Sequence, residues 1–193
     1  SNIELLDQMV GKLILELKAD NLFDNTYIFF FSDHGGPLPR GKRSHYESGL
    51  KVPLIIRDPY VKSKIFVEEP VSFVDFAPTI LSLAGISIPE HFQGIPFLGD
   101  KKSEKQRDYI FGSGDRFDET YDRVRSVISD EFIYVKNYHT DRPAYKDVLY
   151  RKNIDMTNEM LMLNNQNKLN SDQKYWYRHC LLYTSDAADD RMR

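Results

Sequence analysis

Two short apolar runs, Tyr27 to Phe31 and Val52 to Ile56, constrain this chain more than any other feature. Both are bounded by turn-forming residues and rich in β-branched or aromatic side chains. That is the pattern of strands buried on both faces. Upstream, Ile3, Leu6, Val10, Leu13 and Leu17 recur at steps of three and four, which predicts an amphipathic helix over residues 3 to 19. A helix feeding a buried strand is a unit of a parallel or mixed sheet, so the fold class is α/β. The first run stops at Ser32-Asp33-His34-Gly35-Gly36. In open α/β sheets, ligands sit just beyond the carboxyl ends of strands, and Asp33 and His34 are placed there. A carboxylate beside an imidazole, followed by two flexible glycines, suits a cation. Lys42, on the next loop, is positioned to meet an anion held by that cation. The competing reading of Asp33-His34 is a turn with a helix cap.

At 193 residues the chain is long enough for one good core or two small ones. A net charge of −3 gives no electrostatic case for nucleic acid. Twelve tyrosines and twelve phenylalanines argue against disorder. No apolar run approaches the roughly 20 residues that span a bilayer. The chain opens without Met or a signal peptide, so its N-terminus reads as a cut. Residues 180 to 190, CLLYTSDAADD, resemble the translation of a sequencing adapter. On that reading residues 180 to 193 are a non-native tail that packs against nothing. The single cysteine, Cys180, lies in it and says nothing about redox compartment.

The longer pattern is specific. Ser32-Asp33-His34-Gly35, then Gly41-Lys42, then Tyr46-Glu47-Ser48-Gly49-Leu50-Lys51-Val52-Pro53-Leu54-Ile55-Ile56-Arg57-Asp58-Pro59 resembles the sulfatase family of the alkaline phosphatase superfamily. The short S-D-H-G string alone is shared with phosphodiesterases and mutases of that superfamily. The stretch from Pro70 to Ile86 resembles a second family segment, a helix read V-D-L-x-P-T-x-L-x-L-A-G-I. Here the residues agree with the physics: Asp75 is suited to an N-cap, Pro78 to the first turn and Gly85 to the position after the last turn. Residues 89 to 98 resemble a third segment, P-x-x-x-Q-G-x-x-x-L.

The resemblance implies that residues 1 to 100 are the C-terminal part of a mixed-sheet α/β/α sandwich. A polar hinge, residues 99 to 106, leads to a small antiparallel-sheet plus helix subdomain over residues 101 to 179. Strand-like stretches fall at 107 to 112, 125 to 129 and 132 to 138, with a turn at Ser129-Asp130-Glu131. Helices are expected at 155 to 164 and 171 to 178, the latter capped by Ser171.

The resemblance also assigns chemistry. Asp33 and His34 become metal ligands, with His34 departing from the commoner Asn, and Ca²⁺ is the hard cation best suited to the site. Lys42 contacts the sulfate. The family nucleophile is a formylglycine made within a C/S-x-P-S-R motif, which is absent from this sequence and expected upstream of it. The family reaction is hydrolysis of a sulfate ester or sulfamate, here on a sulfated carbohydrate, in a periplasmic or secreted bacterial parent close in style to heparan N-sulfatase-like enzymes. Gly114-Asp115-Arg116-Phe117-Asp118-Glu119-Thr120-Tyr121-Asp122 resembles a stretch of carbohydrate-active sulfatases, which makes Arg116 a candidate sugar contact. An exposed, salt-bridged loop is the competing reading. Arg40 and Arg43 read as surface, and His45 as loop packing. Asn137, His139 and Arg142 join the pocket rim by position alone. Two alternatives stand beside the sulfatase: a phosphoester or phosphonate hydrolase of the same superfamily, and a catalytically inert domain.

Overall fold

A computed structural model describes residues 1 to 105, 107 to 179, and the backbone of 182 to 186. The chain divides into two compact units. One is Ser1–Asp33 with Val52–Val67; the other is His34–Lys51 with the chain from Glu68 onward. This division follows which segments touch, and it runs across the boundary expected near residue 100.

In the first unit, α1 spans Asn2–Ala19. The Ser1 side chain accepts from the Glu4 amide while Glu4 reaches back to residue 1, a capping box that satisfies two end donors. Strands β1 (Ile28–Phe31) and β2 (Leu54–Arg57) pair antiparallel, with Phe31 opposite Leu54 and Ile28 opposite Arg57. Arg57 closes this unit. Its guanidinium donates to the carbonyls of Phe23 (2.8 Å) and Thr26 (3.0 Å) and lies 3.7 Å over the Phe23 ring. The expectation of fully buried strands is corrected. Phe31 is 44% exposed and Ile55 63%. The α1 stripe is open too, with Ile3, Leu6 and Leu13 all exposed. The periodicity is right, but two strands and one helix cannot cover both faces of a sheet.

In the second unit, a short helix α2 (Glu47–Leu50) ends the loop that begins at His34. A 3₁₀ turn, Phe73–Asp75, runs into α3 (Phe76–Leu83). Asp75 is not the side-chain cap of α3. It is the acidic member of a capping box with Ser72, and its carboxylate also accepts from the Ile95 amide (2.7 Å) and the Arg107 guanidinium. The Ser72 amide donates to that carboxylate at 2.8 Å, one of the donors that a helix start leaves without an internal partner. The end of α3 is as expected: Gly85 has φ +70, and the amides of Gly85 and Ile86 return to the carbonyls of Ser82 and Leu81.

An antiparallel sheet follows, β3 (Ile110–Phe117), β4 (Thr120–Ile128), β5 (Phe132–Asn137) and β6 (Leu182–Asp186), in the order β3-β4-β5-β6. The 114 to 122 stretch is therefore no loop between strands. It is the end of β3, a tight turn at Asp118-Glu119, and the start of β4. Helices α4 (Leu149–Lys152), α5 (Asp155–Asn165) and α6 (Ser171–Tyr175) complete the unit. Asn170, not Ser171, caps α6, its side chain accepting from the Gln173 amide at 2.9 Å. The core gathers Tyr46, Tyr145 and Trp176, with Ile133 and Val148 wholly buried.

Strand β6 is Leu182–Asp186, paired antiparallel with β5. That corrects the expectation of a tail touching nothing. An edge strand leaves a row of unpaired backbone groups, which any extended segment can satisfy whatever its side chains. Cys180 and residues 187 to 193 lie outside the described residues.

Candidate active site

The sequence motif folds into two connected pieces. Asp33 ends the first unit, exposed, just past β1, and His34 opens the loop of the second. His34 Nδ1 lies 2.8 Å from the carbonyl oxygen of Gly35. A carbonyl only accepts, so Nδ1 is the donor in this contact. A backbone carbonyl that orients one ring nitrogen is an arrangement that metal-binding imidazoles use. The two donors fit a divalent cation in part. Among the described residues no group of three or more His, Cys, Asp or Glu side chains converges to hold one.

Gly35 and Gly49 serve close approach, whereas a Cβ on Gly36 would meet nothing within 4 Å. The Gly35 amide donates to the Gly49 carbonyl (3.2 Å), and a Cβ on Gly35 would fall 2.0 Å from the Ser48 carbonyl oxygen. A Cβ on Gly49 would meet the Gly41 and Ser44 carbonyls at 2.5 and 2.6 Å. Only bare backbones can cross there.

Lys42 stands between two residues in the left-handed region, Arg40 (φ +62) and Arg43 (φ +68). Such backbone costs energy outside glycine and persists only where its surroundings hold it. Here the Lys42 amide donates to Gly36 (2.7 Å), and Ser44 and Ser48 hydroxyls both donate to the Arg40 carbonyl. Arg43 pairs with Asp118 at 2.8 Å and lies over the Tyr150 ring, and the Lys42 ammonium is 5.1 Å from the same ring. Arg43 is thus fixed rather than a solvated surface cation. Arg116 is exposed, and its Nε donates to the Asp118 carbonyl (2.8 Å). Asp115 pairs with Arg125, and Glu119 accepts from the Leu149 amide.

The sequence model of the sulfatase family matches residues 1 to 86. An ulvan-active sulfatase from Formosa agariphila is 44% identical over 180 residues, 92% of this chain and 30% of its own length. The chain belongs to the sulfatase family. An N-acetylglucosamine-6-sulfatase from Bos taurus is 38% identical over 99 residues, 48% of this chain and 18% of that protein. Among solved structures, one bound to its substrate D-glucosamine-2-N,6-O-disulfate covers 89% of this chain and 39% of its own, with TM-score 0.58 and 22% identity. A sulfatase-like protein from Bacteroides fragilis covers 90% and 43%, with TM-score 0.56 and 25% identity. This sulfatase-family chain therefore spans under half the length of the relatives it matches.

In this sulfatase-family chain sequence reasoning put His45 into loop packing and missed the roles of Asp122, Lys146 and Arg151. His45 is buried, Nδ1 3.0 Å from Ser126 Oγ, and burial pushes its pKa below the ordinary 6.5 against the opposing field of Asp122. Asp122 and Lys146 form an ion pair at 3.3 Å, both within the protein, beside a cavity of about 70 Å³. Asp122 was legible in principle: with Val124 and Ser126 it lies on the alternate, inward positions of β4. Arg151, on the four-residue α4, had no such signal. Asn137, His139 and Arg142 are bound up locally: the His139 amide donates to Asn137 Oδ1 (3.0 Å), and Arg142 donates to the Tyr121 carbonyl (2.8 Å).

Proposed function

We propose that these residues belong to a sulfatase that hydrolyses a sulfate ester or sulfamate on a carbohydrate, outside the cytoplasm. The observation that carries this reading is the carboxylate and imidazole in succession just past β1, Asp33 and His34, with the His34 ring oriented through Nδ1 on the Gly35 carbonyl. Asp33 and His34 would hold a divalent cation, Ca²⁺ by the hardness of the oxygen donor. When bound, that cation polarises the sulfuryl oxygens. Lys42 neutralises charge that grows on those oxygens in the transition state, an electrostatic role. The nucleophile, a formylglycine, is supplied by sequence outside these residues. Support for the substrate class comes from the relatives: one is named as ulvan-active, one as an N-acetylglucosamine-6-sulfatase and one as an extracellular sulfatase from Drosophila melanogaster. No helix among the described residues is long and apolar enough to cross a membrane.

The test uses the complete reading frame and two substrates, an aryl sulfate and a sulfated oligosaccharide. Asp33→Ala should abolish cation-linked stabilisation as well as turnover. Lys42→Ala should lower kcat about 10²-fold or more. Arg116→Ala, in the role of an outer sugar contact, should spare the aryl sulfate and slow the oligosaccharide. Turnover of a phosphate ester in preference to both sulfates would overturn the reading.

A further inference from the structure

The loop that carries Lys42 is pinned to the rest of the second unit by the residues that follow it. One guanidinium nitrogen of Arg43 lies 2.9 and 2.8 Å from the two Asp118 carboxylate oxygens. The same guanidinium is 4.6 Å from the centre of the Tyr150 ring, and the Lys42 ammonium is 5.1 Å from it. Two residues further on, the His45 ring reaches Ser126 at 3.0 Å. It fits so closely against β3 that a Cβ on Gly114 would fall 2.9 Å from its Nε2. The backbone is strained around these contacts. Among the described residues five non-glycine positions have positive φ, and three of them, Arg40, Arg43 and Asp118, flank Lys42 or pair with its neighbour. Such positions persist only where the surroundings hold them, and they cluster at functional sites. Stability does not account for the Arg43–Asp118 pair. Its side chains are 21% and 36% exposed, and a pair open to water adds little.

We propose that Asp118 is a positioning residue for Lys42, acting through Arg43 and the Tyr150 ring. This rests on the sulfatase reading, in which Lys42 meets the sulfuryl oxygens. Lys42 and Arg43 are like charges gathered at one ring, and they repel each other. The Asp118 carboxylate offsets that repulsion and fixes Arg43, while the ring attracts both cations. The Lys42 ammonium then has one favoured place among the many that its flexible stem allows. A charge stabilises a transition state best when it is already held where charge will develop. Asp118 contacts no reacting atom in this scheme. Its share is the geometry of Lys42, so the turn between β3 and β4 serves the reaction without touching it.

A double-mutant cycle in the enzyme from the complete reading frame separates positioning from a plain structural role. kcat and KM are measured for wild type, Asp118→Asn, Lys42→Ala and the double variant, on the ester that the wild type turns over fastest. Asp118→Asn should lower kcat about tenfold or more with KM little changed, the mark of an effect confined to the transition state. In the Lys42→Ala background the same change should cost roughly twofold or less, because no ammonium is left to misplace. Asp118→Glu should restore part of the loss, and Tyr150→Phe, which keeps the ring, should lose less than Tyr150→Leu. Asp115→Asn is the control: it breaks the exposed pair with Arg125 and should show no coupling to Lys42→Ala. Equal losses from Asp118→Asn in both backgrounds would overturn the proposal. A second measurement needs no turnover. The lysines are methylated with isotope-labelled formaldehyde, which keeps their charge, and the Lys42 signal is assigned by its loss in Lys42→Arg. The Tyr150 ring should displace that NMR signal from the position of an exposed lysine, and Asp118→Asn and Tyr150→Leu should each return it. A displaced signal that Asp118→Asn leaves in place would also overturn the proposal. The sulfatase reading fails separately, if the wild type prefers a phosphate ester or if Lys42→Ala costs nothing on a sulfate ester.

Discussion

The two units of this chain are patterned equally well for burial, and only one of them achieves it. In the first unit, α1 carries an apolar stripe and both strands are apolar, yet none of its residues is buried. In the second, Ile133 and Val148 are fully enclosed and Tyr46, Tyr145 and Trp176 pack together. The difference lies in what each unit has to pack against. The second supplies an antiparallel sheet, helices and a loop anchored by Tyr46. The first has one helix and a two-stranded ribbon, which is marginal by itself. Periodicity thus tells which faces are built for burial, while cover is a matter of which other segments are present.

The sharpest way to break this comparison is a matched set of truncations in the two units. Trp176→Ala should cost about 3–5 kcal/mol, the usual loss for a large core aromatic. Asp75→Ala should cost a similar amount, because it strands Arg107 and the amides of Ser72 and Ile95 in a largely buried site. Leu13→Ala, at a position 61% exposed, should cost about 0.5 kcal/mol or less. Urea unfolding followed by circular dichroism measures all three. Comparable losses in both units would show that α1 is covered in solution.

A smaller effect sharpens the account of the second unit. His45 has a lowered pKa in the fold, chiefly from burial, with Asp122 opposing and Arg125 assisting. The unfolded chain therefore takes up the proton first as pH falls. Stability from this residue is present above the ordinary value of about 6.5 and is lost as pH drops below it. His45→Gln should flatten the stability profile between about pH 7 and pH 5. An unchanged slope would assign the acid sensitivity to another group. At the other extreme, Tyr145 is raised to about 12 by burial and by Asp147. Unfolded tyrosine ionises near 10, so the fold should lose stability as pH climbs from about 10 to 12.

What the sequence made legible follows the range of the interactions. The helix at α1, both short strands, the Pro78 and Gly85 ends of α3, and the motif carrying Asp33, His34 and Lys42 all depend on neighbours a few residues away. The antiparallel pairing of β1 with β2 does not, because residues 32 to 53 separate them. Nor do the partners of Arg43 and His45, which come from Asp118 and Ser126, 75 and 81 residues further on. Arg43 read as surface because a charged loop residue usually is. It is held by the hairpin turn at Asp118-Glu119, inside a stretch that read as lying between strands. Arg151 sits on a helix of one turn, too short for any periodic pattern, and its burial depends on the ring of Trp176.

The smallest expected effect concerns β6. Pairing five residues to an edge gains several backbone hydrogen bonds, each worth about 0.5–1.5 kcal/mol net. Ordering those residues costs about 1–2 kcal/mol each. The two nearly cancel, so truncation after residue 179 should move the melting temperature little. Hydrogen exchange separates the outcomes more cleanly. The Tyr138 amide donates to Arg123 and the Phe132 carbonyl accepts from Ser129, so even-numbered residues of β5 face β4. By alternation, the amides of Ile133 and Val135 face β6. Truncation should speed exchange at Ile133 and Val135 while leaving Tyr134 and Lys136 protected by β4. If all four amides keep their rates, β6 does not form in solution, and residues 180 to 193 return to being a tail that touches nothing.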